Sequence, residues 1–204
     1  MIYLFRHGKT VLNAQQRYQG GVDIGLSDEG VSQFKALATD FKSDLVSPKA
    51  ISTIYCSPLR RARQSAELLQ AVLGGHCKVE IRLELKEMSF GEFEGIEKSS
   101  IRQLYPDYYP QDWQNPYISM EVAFPQGESL SDVYQRIAGF CTEIEEDVSS
   151  NIVVGHGGVN KMLLARMLKL DAQAREKYVT FTQDYQDIIE INRQQGRASY
   201  RVIN

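Results

Sequence analysis

The 204 residues carry 23 Lys and Arg against 26 Asp and Glu, a formal net charge of −3. That balance argues against nucleic acid as the main partner, and no apolar stretch is long enough to span a membrane. The length suits a single domain over residues 1–204 with a sizeable core. Cys56, Cys77 and Cys141 are odd in number and lack metal-ligand spacing, so they read as reduced thiols of a cytoplasmic protein. The start does not read as a signal peptide, because Arg6 and His7 interrupt a short apolar run.

Met1–Phe5 reads as a buried strand that stops at Arg6-His7-Gly8. The glycine-punctuated loop from Gly8 to Leu26 is long enough to be functional. Ser27 is placed to cap a helix, with Asp28 and Glu29 in its first turn and Val31, Phe34, Leu37, Ala38 and Phe41 at helical spacing. Ala50–Cys56 forms the next strand and runs into Ser57-Pro58, expected as N-cap and first helical residue. Arg60, Arg61 and Arg63 then fall in the first turns of that helix, where they oppose its dipole. Anion binding accounts for arginines in such a place, with at least one of the three left at the surface.

Gly74-Gly75 ends the helix, and Val79–Leu83 is expected as the third strand. A carboxylate-rich loop follows, from Glu84 through Glu87 to Gly95. Residues 97–128 interleave Tyr105, Tyr108, Tyr109, Trp113, Tyr117 and Phe124 with Pro106, Pro110, Pro116 and Pro125. This composition predicts an inserted cap over the site, or an excursion whose aromatics pack on the sheet. Ser129 to about Ser150 predicts one amphipathic helix, with Leu130, Val133, Ile137, Phe140, Ile144 and Val148 on a face. Asn151–Gly155 is a strand ending at His156-Gly157-Gly158, which opens another helix. Tyr178–Thr182, Ile188–Asn192 and Ser199–Ile203 are expected as closing strands. The order predicts a three-layer α/β/α sandwich with a mostly parallel central sheet.

Two of the three histidines sit at strand ends and are followed by glycine. Ligands bind at that edge of an open α/β sheet. Arg6, His7, Arg61 with its neighbours, Glu87 and His156 would converge there. A zinc or iron site is conceivable for the histidines and glutamate, but the arginines would repel a dication. No Gly-x-Ser-x-Gly or P-loop motif is present. Metal-free phosphoryl transfer remains: an imidazole attacks phosphorus, arginines neutralise the oxygens, and a carboxylic acid protonates the leaving oxygen.

These residues resemble the histidine phosphatase superfamily, in the branch that also holds the cofactor-dependent phosphoglycerate mutases. Arg6-His7-Gly8-Lys9-Thr10 with Asn13 is similar to its Arg-His-Gly-x-Thr-x-x-Asn signature, and Gln19-Gly20, Asp23 and Leu26–Gly30 to the segment that follows. Ser57-Pro58-Leu59-Arg60-Arg61-Ala62 resembles its Ser-x-Leu-x-Arg-Ala element, which singles out Arg61. Leu85–Gly91 resembles the acid segment and singles out Glu87. Gly155-His156-Gly157-Gly158 resembles the second histidine element, with Gly155 where Ser or Thr is more usual. The resemblance implies a phosphohistidine on His7, a phosphate clamp of Arg6, Arg61 and His156, and Glu87 as proton donor and later base. Asn13, Gln19, Gly20 and Gly157 would add phosphate contacts. No metal and no cofactor are implied, and His76 is expected at the surface.

No Lys or Arg occurs between Arg102 and Arg136, and Leu12 stands where mutases usually carry tryptophan. A phosphomonoesterase is therefore expected over a mutase. Glu-Met-x-Phe-Gly, the cap tryptophan and the Gly-Glu-Ser before the long helix are similar to α-ribazole phosphatases of cobalamin assembly. A cofactor-dependent phosphoglycerate mutase, a fructose-2,6-bisphosphatase-like sugar phosphatase and an inactive phospho-ligand binder are the alternatives. The expected partner is a small phosphomonoester, with the protein a monomer or homodimer.

Overall fold

Strand β1 (Ile2–Arg6) is apolar along both faces, and it becomes an interior strand of the sheet. The computed structural model describes residues 1–45, 50–105, 119–194 and 197–203. Successive side chains of a strand point to opposite faces. Ile2 and Leu4 accordingly enter one core, and Tyr3 and Phe5 the other. β1 pairs in parallel with β4 (Ser150–Gly155) and antiparallel with β5 (Ile188–Gln194). β4 pairs in parallel with β2 (Ile51–Cys56), and β2 with β3 (Lys78–Ile81). β6 (Arg197–Ile203) lies antiparallel on β5, giving the order β3-β2-β4-β1-β5-β6.

Helices α2 (Asp28–Asp44) and α3 (Arg60–Leu73) cover one face through Phe34, Phe41, Ala62, Ala66 and Leu69. Helices α5 (Leu130–Arg136), α6 (Ala138–Glu146) and α7 (Gly157–Met167) cover the other through Leu130, Val133, Phe140, Ile144 and Met162. The three-layer, mostly parallel architecture agrees with the sequence expectation. Ser27 caps α2 by accepting from the Gly30 N–H. Gly74 ends α3 at φ 99°, a conformation that only glycine adopts freely.

Four local expectations change. Ser57 does not cap α3; Leu59 stands at the N-cap without a side-chain bond, and the Ser57 hydroxyl is used elsewhere. β3 stops at Ile81, so Leu83 lies in a 3-10 turn and is 75% exposed. The helix predicted from Ser129 to Ser150 is divided at Ile137 into α5 and α6 and ends at Glu146. Val148 therefore escapes the apolar face and is 98% exposed. Finally, Tyr178–Thr182 is not a strand: Tyr178 closes α8 (Ala172–Tyr178), and a loop leads on to β5. Hydrophobicity alone does not separate such a loop from a strand.

Within 97–128, Lys98–Leu104 forms α4. Tyr105 packs on Phe93 with centroids 4.7 Å apart, and Phe124 is buried edge-on against Phe90 and Phe93. These aromatics belong to the core. Pro106, Tyr108, Tyr109, Pro110, Trp113, Pro116 and Tyr117 lie outside the described residues. His76 is exposed, as expected.

Candidate active site

Three neighbouring parallel strands end at one level. The His7 N–H donates to the Gly155 carbonyl at 3.0 Å and the Ser57 N–H to the Val154 carbonyl at 3.2 Å. His7, Ser57 and His156 thus stand side by side, and the two imidazole centroids are 4.9 Å apart.

The hydrogen bonds of His7 define its tautomer. Nδ1 lies 2.7 Å from the Gly8 carbonyl, which can only accept, so Nδ1 carries the proton. Nε2 accepts from Arg61 Nε at 3.2 Å, so Nε2 carries the lone pair. Burial first, then Arg61 and Arg6, hold the His7 pKa well below its ordinary value. The result is a neutral imidazole with a nucleophilic nitrogen, flanked by guanidiniums.

Arg61 is 1% exposed. Its Nη1 donates to the Val22 carbonyl at 2.7 Å and its Nη2 to the Gly20 carbonyl at 2.8 Å. The loop after β1 therefore locks the fork. Arg60 and Arg63 are exposed, so the helix start divides its arginines as expected. Arg6 donates through Nη1 to the Gln183 carbonyl at 2.8 Å and through Nη2 to Tyr185 Oη at 3.0 Å. Its guanidinium also lies 4.0 Å from the Tyr185 ring centroid.

His156 is buried behind His7, and its Nε2 is 2.7 Å from Ser57 Oγ. Burial first, then Arg61, keeps its pKa well below the ordinary value. Arg6 Nε and His156 Nδ1 are buried without a hydrogen-bond partner. Such groups cost roughly 1–3 kcal/mol each when left unpaired. Arg6 lines the cavity, so its Nε–H is a donor placed to meet an acceptor there.

Glu87 accepts from the Met88 N–H at 2.9 Å and from the Gly158 and Val159 N–H groups at 3.3 Å. The last two belong to the first turn of α7, where the dipole favours an anion. Gly155 is explained by the same neighbourhood. The Asn160 side chain occupies the space a Cβ would need, while its Nδ2 donates to the Phe5 carbonyl and to Gln183 Oε1.

A cavity of about 390 Å³ opens on these groups. Arg6, His7, Asn13, Gln19, Gly20, Arg61, Glu87 and Gly157 line it; His156 does not, and meets the site through His7. Asn13 Oδ1 is engaged within the first loop, accepting from the Thr10 N–H and completing the capping box of α1 (Val11–Ala14). The Thr10 hydroxyl also donates to Gln19 Oε1 at 2.9 Å.

Several lining or supporting residues escape the sequence reading. Arg17, Lys98 and Lys161 bring three further cations to the cavity, although the cap lacks Lys and Arg from 103 onward. The absence of basic residues there does not leave the cavity without basic groups, because these come from other segments. Lys161 had a signal, a charge inside the apolar run that follows His156. Tyr185 and Gln183 had none, because only the fold brings residues 180–185 beside β1.

Fold and site together define a three-layer α/β protein with a basic cavity at the ends of its parallel strands. The chain belongs to the histidine phosphatase superfamily (branch 1), whose family model matches residues 2–204. It is 30% identical over 209 residues to the adenosylcobalamin/alpha-ribazole phosphatase of Escherichia coli (strain K12), covering 100% of this chain and 95% of that protein. It is 28% identical over 172 residues to phosphoserine phosphatase 1 of Hydrogenobacter thermophilus, covering 83% and 77%. The crystal structure of the alpha-ribazole phosphatase from Shigella flexneri superposes with a TM-score of 0.80 at 27% identity, covering 100% and 95%. The family and these relatives support a phosphatase. Among the described residues no helix is long and apolar enough to cross a membrane.

Proposed function

We propose that the protein is a metal-independent phosphomonoesterase acting through a phosphohistidine on His7. The neutral His7 tautomer carries this reading, because its lone pair sits on Nε2 among the guanidiniums. Nε2 attacks phosphorus and the bond to the leaving oxygen breaks. Arg61 Nε–H and Arg6 Nε–H then hold the equatorial oxygens, His156 backs the His7 ring, and Glu87 as the acid protonates the leaving oxygen. In the second half Glu87 takes a proton from water. The water oxygen attacks phosphorus, the P–N bond breaks, and inorganic phosphate leaves. The Gly8 carbonyl steadies the Nδ1–H while the imidazole is positively charged. Residues 1–204 act as one domain, with 97–128 as the cap.

Glu87→Gln keeps a hydrogen-bonding side chain but no transferable proton. It is expected to lower kcat/KM, which reports the step that expels the leaving group, about 100- to 1,000-fold for alkyl phosphates. The loss should be under tenfold for p-nitrophenyl phosphate, whose leaving oxygen needs no acid. Equal losses on both would remove Glu87 from the acid role.

The depressed His7 pKa has a pH consequence. Below an ordinary histidine pKa of about 6.5, the buried imidazole stays neutral because its charged form is disfavoured. The acid limb of kcat/KM should therefore lie below that value. A limb at or above it, measured with p-nitrophenyl phosphate, would contradict the buried neutral nucleophile.

For the substrate, α-ribazole 5′-phosphate is supported by the relatives' names and by Tyr18, Phe90 and Phe181, which line the cavity and suit a planar base. The additional cations favour a second reading, a phosphorylated acid. Comparing kcat/KM for α-ribazole 5′-phosphate, O-phosphoserine and sugar bisphosphates tests both.

A further inference from the structure

Two buried amides connect helix α7 to strand β1 and to the loop before β5. Asn160, on α7, is 0% exposed and Gln183, in the loop, is 3% exposed. Asn160 Nδ2 donates to the Phe5 carbonyl at 2.9 Å and to Gln183 Oε1 at 2.8 Å. Gln183 Nε2 donates to the Leu4 and Asp187 carbonyls, each at 2.9 Å. Carbonyl oxygens only accept, so the orientation of both amides is fixed.

The pair holds Arg6 at both ends. The Phe5 carbonyl belongs to the peptide that enters Arg6. The Gln183 main-chain carbonyl takes Arg6 Nη1 at 2.8 Å, and Tyr185, two residues on, takes Nη2. With both Nη atoms tied to the loop, Nε is the nitrogen left without a partner, on a side chain that lines the cavity.

Stability alone does not account for this arrangement. Asn160 Oδ1 is buried with no partner, and a buried polar atom left unpaired is unfavourable. The same oxygen sits 2.2 Å from where a Cβ on residue 155 would fall, and the two Nδ2 bonds keep the amide from swinging away. Position 155 is thereby restricted to glycine, inside a buried strand that glycine weakens. An apolar side chain of the same shape at 160 would avoid the unpaired acceptor. It would not tie Phe5 to Gln183, and that tie is what places Arg6.

We infer that Asn160 and Gln183 are positioning residues for Arg6: together they aim Nε at the reacting phosphate, and Gly155 is the space the pair requires. This rests on the phosphatase reading, in which Arg6 holds a phosphate oxygen.

The test is a set of double-mutant cycles on p-nitrophenyl phosphate. Asn160→Leu and Gln183→Met each keep the approximate shape and remove the amide. Either is expected to lower kcat/KM about 100-fold. In an Arg6→Ala background either should cost less than about threefold more, because the guanidinium they aim is gone. Gly155→Ala is a second route, since it leaves every amide in place and displaces Asn160. It should reproduce both the loss and its dependence on Arg6. Equal losses with and without Arg6 are what a purely structural role gives, and they overturn the inference. Single variants within about threefold of wild type overturn it as well. So does failure of all three to fold, read by circular dichroism, which would assign the pair to the fold. Arg6→Ala within about threefold of wild type would remove the inference together with its premise. Wild-type turnover of p-nitrophenyl phosphate tests the phosphatase reading separately. Were that absent, the same cycles read as calorimetric affinity for inorganic phosphate would still decide whether the pair acts through Arg6.

Discussion

Replacing His7 by alanine is expected to lower kcat/KM by about 10,000-fold or more on every ester, and to remove covalent labelling. The reason is structural. Nε2 is held as a lone pair by the Gly8 carbonyl on one side and the Arg61 N–H on the other. The neighbouring His156 has its Nε2 on Ser57 and does not line the cavity, so it cannot substitute. The measurement is brief mixing with a radiolabelled phosphomonoester, then alkaline denaturation. Wild-type protein should retain label that acid removes, and the variant should retain none. Label persisting in the variant, or turnover within tenfold of wild type, would move the nucleophile elsewhere.

Arg61→Lys is expected to lower kcat/KM about 1,000-fold, again on all esters alike. One ammonium cannot reach His7 Nε2 and the Val22 and Gly20 carbonyls together, as the guanidinium does. The loss should come with reduced thermal stability, since a buried carbonyl left unpaired costs about 1–3 kcal/mol. Arg61→Ala adds a diagnostic that a purely structural role would not produce. The Arg61 charge helps hold the His7 pKa down, so its removal lets that pKa rise. The acid limb of kcat/KM should move to higher pH in Arg61→Ala. An unmoved limb, or a loss confined to one ester, would separate Arg61 from the nucleophile.

The strands and the principal helices were legible because each has a single dominant period. β1 and β4 are apolar runs ended by Arg6-His7-Gly8 and His156-Gly157, and α2 carries its own cap at Ser27. Arg6 and His7 were legible because they stand at a strand end, where local geometry sends side chains to one edge. Arg61 among the arginines of the helix start and Glu87 in its carboxylate-rich loop were instead singled out by the family resemblance. Ser57 was misjudged for a local reason. A serine before proline is a good cap, but here its hydroxyl is drawn to His156 across the sheet. Val148 was misjudged because a helical period was carried past Glu146, where α6 ends. Of the cap aromatics that the structure describes, Tyr105 and Phe124 belong to the core, where their rings bury most area.

The sequence by itself determined the sheet-and-helix order and the residue types that meet at the strand ends. Both follow from contacts a few residues apart, or from the shared direction of parallel strands. Only the tertiary structure decided how those residues are held. The tautomer of His7 depends on an arginine 54 positions away, and the pose of Arg6 on Gln183 and Tyr185, 177 and 179 positions away. The charge of the cavity beyond the phosphate was likewise decided by folding, because Arg17, Lys98 and Lys161 come from three separate segments. Periodicity and capping report on neighbours in the chain. Desolvation and the summed field of distant cations do not exist until the chain has closed around them.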